Sequence, residues 1–171
     1  MLISEVYTRL AEFIVLTVND PTISVIFANQ NSPRPKKPFI TIAIGALNDV
    51  SFPMKYDIDA NGIQDIIMNK SFIATMEAYC DGLHQSEEIL NVIQNQFRTD
   101  FSYYHFRADM VYIRTVMGVS AIPIPINGIN ESRAVLEVEF ALNQLVRDDV
   151  GLIDAIIVED EITGNDILIN R

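Results

Sequence analysis

Hydrophobic and polar positions alternate most strictly toward the end of the chain. From Ala134 the even positions Leu136, Val138, Phe140 and Leu142 are apolar. Glu137, Glu139 and Asn143 point the other way, with Ala141 among them. A period of two over that length predicts a strand, Ala134 to Val146, with one buried face. Asp148, Asp149 and Gly151 then supply turn chemistry before a second apolar run, Ile153 to Val158, expected to pair with the long strand.

The chain opens instead on helical spacing. Ile3, Val6, Leu10, Phe13 and Ile14 form one stripe and Glu5, Arg9 and Glu12 another, which predicts an amphipathic helix over Ile3 to Asn19. Ser4 is a candidate N-cap, and Asp20-Pro21 is the stop, because the residue before proline is pushed out of the α region. Thr22 to Ala28 is short and β-branched. Asn29 to Pro38 carries three prolines, which forbid a helix interior and a central strand and leave an extended loop. Phe39 to Ile44 is expected to be a central strand, since both its faces are largely apolar.

Met54 to Asp59, Gln64 to Asn69 and Ser71 to Tyr79 predict further strands, with Asn61-Gly62 as a hairpin turn between the first two. Asp81 is the expected cap of a second helix over Leu83 to Arg98, buried through Ile89, Leu90, Val92, Ile93 and Phe97. Phe101 to Phe106 reads as an aromatic connection, Val111 to Met117 as a strand, and Ile122 to Asn130 as a proline- and glycine-broken loop. Ile167 to Ile169 either adds an edge strand or stays loose. Two helices with about seven strands, many joined as hairpins, give an α+β fold with a mostly antiparallel β-sheet packed with two main helices.

Length and composition narrow the class. With 171 residues the simplest organisation is a single domain over 1–171, in which 159–171 is an acidic C-terminal tail or edge strand. Hydrophobic residues make up 49% and charged residues 20%, a globular balance. The formal net charge is −11, from 23 acidic and 12 basic side chains. Such a surface repels phosphate backbones, so a nucleic-acid grip needs a local basic patch, and only Arg34, Lys36 and Lys37 cluster. The single cysteine, Cys80, excludes an internal disulfide framework. With neither a signal-like start nor an apolar run of the ~20 residues that cross a bilayer, the expectation is a cytosolic product that is not anchored in a membrane.

The search for chemistry is mostly negative. There is no glycine-rich phosphate loop, no cysteine pair and no helical histidine pair, so no catalytic, cofactor-binding or metal-ligating residues are nominated and no cofactor is expected. His84 and His105 lack a ligand-spaced partner and read as surface or packing residues. Cys80, which follows a strand, reads as a small buried hydrophobe rather than a nucleophile. Glu137 and Glu139 share a strand face, which fits a solvated or subunit-facing surface better than a carboxylate pair. The aromatic residues Tyr103 and Tyr104 fit either core packing under the second helix or a partner surface. Arg34, Lys36 and Lys37 fit either a solvated loop or a contact with an acidic neighbour. Glu131 and Arg133, two apart, share a face, and either is a candidate to pair across subunits.

Taken in order, these segments resemble the phage neck-terminator and tail-terminator proteins. An amphipathic helix leads to an Asn/Gln- and proline-rich loop, Asn29 to Pro38, which feeds the strand FITIAI. A later strand ends at Tyr79, a helix follows, and Glu131-Ser132-Arg133 opens the long alternating strand. The likeness runs over roughly residues 3 to 160 and rests on order more than on any one motif. Cys80-Asp81 departs from it where a glycine is expected. The resemblance implies a structural virion protein, not an enzyme, assembled in the host cytoplasm and located at the tail and neck. It implies a homo-oligomer, a hexameric ring that closes the tail tube. Its other partners are the tail tube protein and a neck or head-completion protein, with DNA passing through the lumen without specific binding. Arg34, Lys36, Lys37, Glu131, Arg133, Tyr103 and Tyr104 are the candidate interface residues. The rivals are another head–tail completion or connector protein and, from a different class, a small α+β ligand-binding domain or enzyme, which needs a pocket of convergent polar groups.

Overall fold

The computed structural model describes residues 3–28, 33–82, 84–122, 124–126, 129–151, 155–159 and 166–170, with backbone alone for 124–126, 129–130, 155–159 and 166–170. Contacts divide the chain into two units, one of residues 1–52 and 69–144, the other of residues 53–68 and 145–171.

In the first unit, α1 (Ile3–Val18) buries Val6, Leu10, Phe13 and Ile14, the predicted stripe without Ile3, which is exposed. Ser4 lies inside this helix rather than at its cap, and its carbonyl accepts the Thr8 hydroxyl. The helix stops one residue before the expected Asp-Pro pair. Asn19 takes the left-handed conformation (φ 47°) and its N–H bonds the Val15 carbonyl at 3.0 Å, the cap that asparagine tolerates. Asp20 then closes a turn by accepting the Thr22 N–H at 2.9 Å.

β1 (Ser24–Phe27) pairs parallel with β2 (Phe39–Ile44), whose other edge pairs antiparallel with β5 (Ile63–Cys80). The register sets Phe39 opposite Tyr79 and Thr41 opposite Glu77. β2 is central, as its two apolar faces require. The main path runs β1-β2-β5-β9-β6, where β6 is Val111–Val116 and β9 is Ile129–Asp149. β3 (Asn48–Asp49) pairs with β5, and β7 (Ser120–Ala121) and β8 (Ile124–Ile126) pair with β9. β1 with β2 is the parallel pair; β2 and β3 with β5, and β6, β7 and β8 with β9, are antiparallel.

Alternation decides which face is buried. Phe72, Ala74, Met76 and Ala78 of β5 join Ala134, Leu136, Val138, Phe140 and Leu142 of β9 in one core. Ile40 and Ile42 of β2 and Val111 of β6 add to it, and three helices cover it: α1, α2 (Gln85–Gln96) and α3 (Asp100–Arg107). Phe13 sits at its centre, with ring centroids of Phe97 at 4.5 Å, Phe106 at 5.2 Å and His105 at 5.6 Å. The odd positions of β5 and β9 lie on the opposite, partly exposed face.

Several expectations need correction here. Phe101 to Phe106 is not a connection but most of α3. Ser102 and Phe106 lie one turn apart on its buried side, and the Ser102 hydroxyl donates to the carbonyls of Phe97 and Thr99, tying α3 to the end of α2. Asp81 does not cap α2. The helix starts at Gln85 after His84 in a left-handed conformation (φ 60°), and Val92 on its outer side is exposed. The two strands expected over Gln64 to Tyr79 are one, since nothing near Lys70 can turn the chain. The expected loop over Ile122 to Asn130 contains β8, a short strand that accommodates Pro125 because, among the described residues, it pairs with β9 alone.

In the second unit, β4 (Met54–Ile58) and the opening stretch of β5 form the expected hairpin. Asp59 shapes its turn, accepting the N–H groups of Asn61 at 2.8 Å and Ile63 at 2.9 Å. Those bonds hold the Asp59 carboxyl below its usual range, the Ile63 amide first among them. Gly62 has φ 80°, and a Cβ there would sit 2.8 Å from the Gly151 carbonyl carbon, so the position demands glycine twice over. The described part of the apolar run after Gly151, Ala155 to Val158, does not pair with the long strand. β10 (Ala155–Glu159) pairs antiparallel with β11 (Asp166–Asn170) in a separate two-stranded sheet, which places Ile167 to Ile169 in a strand. The portion of the expected helix and strands that falls on Leu83 and residues 152–154 lies outside the described residues.

Candidate functional site

Four of the seven candidate interface residues converge in the first unit, where the proline-rich loop enters β2 and β9 begins. Glu131 is the anchor. It stands on the odd-numbered side of β9, yet its side chain is only 4% exposed. A carboxylate that dry needs charge partners, and two cations of the loop supply them. Lys37 Nζ lies 2.6 Å and Arg34 Nη2 lies 2.8 Å from the same Glu131 Oε1. Lys37 also reaches Asp81 Oδ1 at 3.2 Å, which gives Asp81 a role in place of the cap. Burial by itself would raise the Glu131 pKa. The ammonium of Lys37 and the guanidinium of Arg34 outweigh it and hold the carboxyl below its usual range. The Lys37 ammonium is raised in turn, chiefly by its bond to Glu131.

An aromatic pair extends the cluster across the sheet face. Register sets Phe39 opposite Tyr79, and the rings stack with centroids 4.7 Å apart. The Arg34 guanidinium carbon lies 4.8 Å from the Tyr79 ring centre and 5.1 Å from that of Phe39. Arg133 also sits over Tyr79, at 5.3 Å, and pairs with Glu77 Oε1 at 2.7 Å. The Tyr79 hydroxyl donates to the other oxygen of Glu77. Burial first, then Glu77, pushes the Tyr79 phenol up to about 12, so it stays a neutral donor. The chain of contacts runs Asp81, Lys37, Glu131, Arg34, Tyr79, Arg133, Glu77. Beside it the hydroxyls of Ser86 in α2 and Ser132 in β9 lie 2.8 Å apart.

Arg34, Lys37, Glu131 and Arg133 therefore find partners within the chain. Lys36 does not join them. It is exposed, with no ion pair among the described residues. Tyr103 and Tyr104 lie apart on α3, 49% and 68% exposed, the first under the Arg107 guanidinium at 5.5 Å. His105 is taken up in packing against Phe13, with Nε2 3.0 Å from the Arg9 carbonyl. Cys80 is fully buried, its thiol pushed up to about 11 by desolvation and then by Asp81, which makes it inert rather than nucleophilic. Glu139 pairs with Arg114 at 2.8 Å on the outer face of the sheet.

Sequence reasoning does not reach Phe39, Glu77, Tyr79 and Asp81 as members of the cluster. Glu77 and Tyr79 stand on the largely polar odd side of their strand, where nothing marks them until the β2–β5 register sets them opposite Thr41 and Phe39.

The arrangement is a closed set of ion pairs. Its ionisable groups neutralise each other, and no described group of three or more His, Cys, Asp or Glu side chains could hold a metal ion. It is a fastener, holding a loop to a sheet. Comparison with known proteins supplies the identity that such a fastener cannot. A search of curated proteins finds no match. A profile of the family described as phage neck terminator protein matches residues 4–166, nearly the whole chain and both units. With the α+β architecture and a loop pinned to the long strand already in place, that match assigns the chain to the phage neck terminator family, a structural component of bacteriophage.

Proposed function

We propose that this protein forms a ring, six copies in the simplest closure, that ends the tail tube and joins it to the neck or head-completion proteins around the DNA path. The observation that carries the reading is the family match over residues 4–166. The geometry supports it. An open sheet with a helix-covered face offers a rigid frame, and loops held on such a frame are where contacts with other proteins usually lie. In a ring the contacts are heterologous, one surface of a copy meeting a different surface of the next. The candidate contacts are the loop with Arg34, Lys36 and Lys37, the start of β9 with Glu131 and Arg133, and the exposed tyrosines Tyr103 and Tyr104 of α3. DNA passes through the lumen without a specific grip, as befits a chain of net charge −11. The protein acts in the virion as a structural component without catalysis or cofactor.

Light scattering after size exclusion, with negative-stain images of the same peak, tests the reading. Rings are expected, either from the protein alone or after tail tubes are added. A monomer that ignores both tubes and necks would overturn it.

A further inference from the structure

The loop entering β2 has three cations within four residues, and the fold treats them differently. Arg34 and Lys37 turn in to one buried carboxylate, Glu131, while Lys36 between them is exposed and unpaired among the described residues. We infer that Glu131 is a latch that fixes the described loop residues 33–38 so that Lys36 is presented outward, and that Lys36 docks on an acidic surface of the adjoining copy. The second clause rests on the ring reading; the first does not.

The latch follows from chemistry. Prolines 33, 35 and 38 deprive the segment of amide donors, so backbone bonding alone holds it poorly. Two charge-assisted bonds to one dry oxygen, with Arg34 laid over Phe39 and Tyr79, replace the missing ladder. The loop is far from Glu131 in sequence, 97 residues for the Arg34 pair, so the contact is a tertiary pin and not a local turn.

The partner follows from charge. A copy carrying −11 repels its twin, and assembly must set at least some unpaired cations against the excess of carboxylates. Of the loop's cations only Lys36 is available, since Arg34 and Lys37 are committed to Glu131 and Asp81. Fixing it in place beforehand lowers the ordering cost of docking.

Hydrogen exchange and assembly read the latch and the docking separately. In the full-length protein, Glu131→Gln is expected to speed exchange roughly tenfold or more at the Ser24 amide, which is bonded to the Pro38 carbonyl at the end of the loop, with Ile40 to Ile44 unchanged. Unchanged exchange at Ser24 would overturn the latch. Lys36→Glu is expected to leave exchange as in the wild type yet abolish ring formation, while Lys36→Arg retains it. Rings from Lys36→Glu at wild-type yield would overturn the docking role. If the wild-type protein forms no rings under any condition, the ring reading and the docking role fail together, and the exchange result still decides the latch.

Discussion

Glu131 shows how one carboxylate can govern a loop of the opposite charge. Replacing it with alanine strands Lys37 beside Asp81 alone and leaves half-exposed Arg34 to solvent, so the expected loss is about 1–3 kcal/mol rather than the larger cost of a fully buried pair. Its pKa is lowered in the fold, so the contribution is present above the unfolded carboxylate range and lost as pH falls through the folded value. Denaturant titrations of wild type and Glu131→Gln should therefore differ at pH 7 and converge toward pH 3; a constant gap would contradict the assignment. Tyr79 behaves oppositely. Its raised pKa stabilises the fold below about pH 10 and ceases to do so as pH climbs toward 12. Cys80 gives a reporter at the same scale. With the thiol raised to about 11 and no exposed surface, it should resist labelling at pH 8 in the native protein and react at the rate of unfolding.

Among the elements, the helices meet at Phe13. Phe13→Ala removes a ring that touches Phe97, Phe101, His105 and Phe106 at once, and about 3–5 kcal/mol should go with it, measured by equilibrium unfolding. The same substitution at exposed Tyr104 should change stability by no more than about 0.5 kcal/mol. These elements are unequally legible in the sequence. β9 announces itself because alternation runs unbroken from Ala134 to Leu142, and each even residue named is buried. α1 is equally plain, because a 3.6-residue period over four turns has no strand equivalent. α3 is hidden, because eight residues rich in aromatics carry as much strand propensity as helix propensity, and what decides it is Phe13 from a distant helix. The partner of β10 is also unreadable, for an apolar run states that it needs cover and not which strand supplies it. The cluster around Glu131 is half legible: charge spacing names four members, but only register brings Glu77, Tyr79 and Phe39 beside them.

At the level of the whole molecule, net charge dominates. Copies of charge −11 repel each other at low ionic strength, where the screening length is about 30 Å at 0.01 M, and much less at about 8 Å in physiological salt. Ring yield should therefore rise as salt is raised over that interval, even though an individual Lys36 contact weakens. Size-exclusion profiles at the two salt concentrations decide the matter, and a fall in yield would mean that attraction between unlike patches outweighs the net repulsion. No helix among the described residues is long and apolar enough to cross a membrane.

The length of β9 has a mechanical side. Its 21 residues make it several times the usual strand, and β6, β7 and β8 pair with successive stretches of it while β5 is its neighbour in the sheet. Pulling along such a strand loads many ladder hydrogen bonds side by side, in shear, so that none yields before its neighbours share the tension. The first unit is thus stiffest along β9 and weakest across it, where bonds break singly, like the teeth of a zip. In a force spectrometer, a tether gripping residues 111 and 138, at opposite ends of the β6–β9 pair, should rupture at a much higher force than one gripping the facing residues 111 and 142, which peels β6 away.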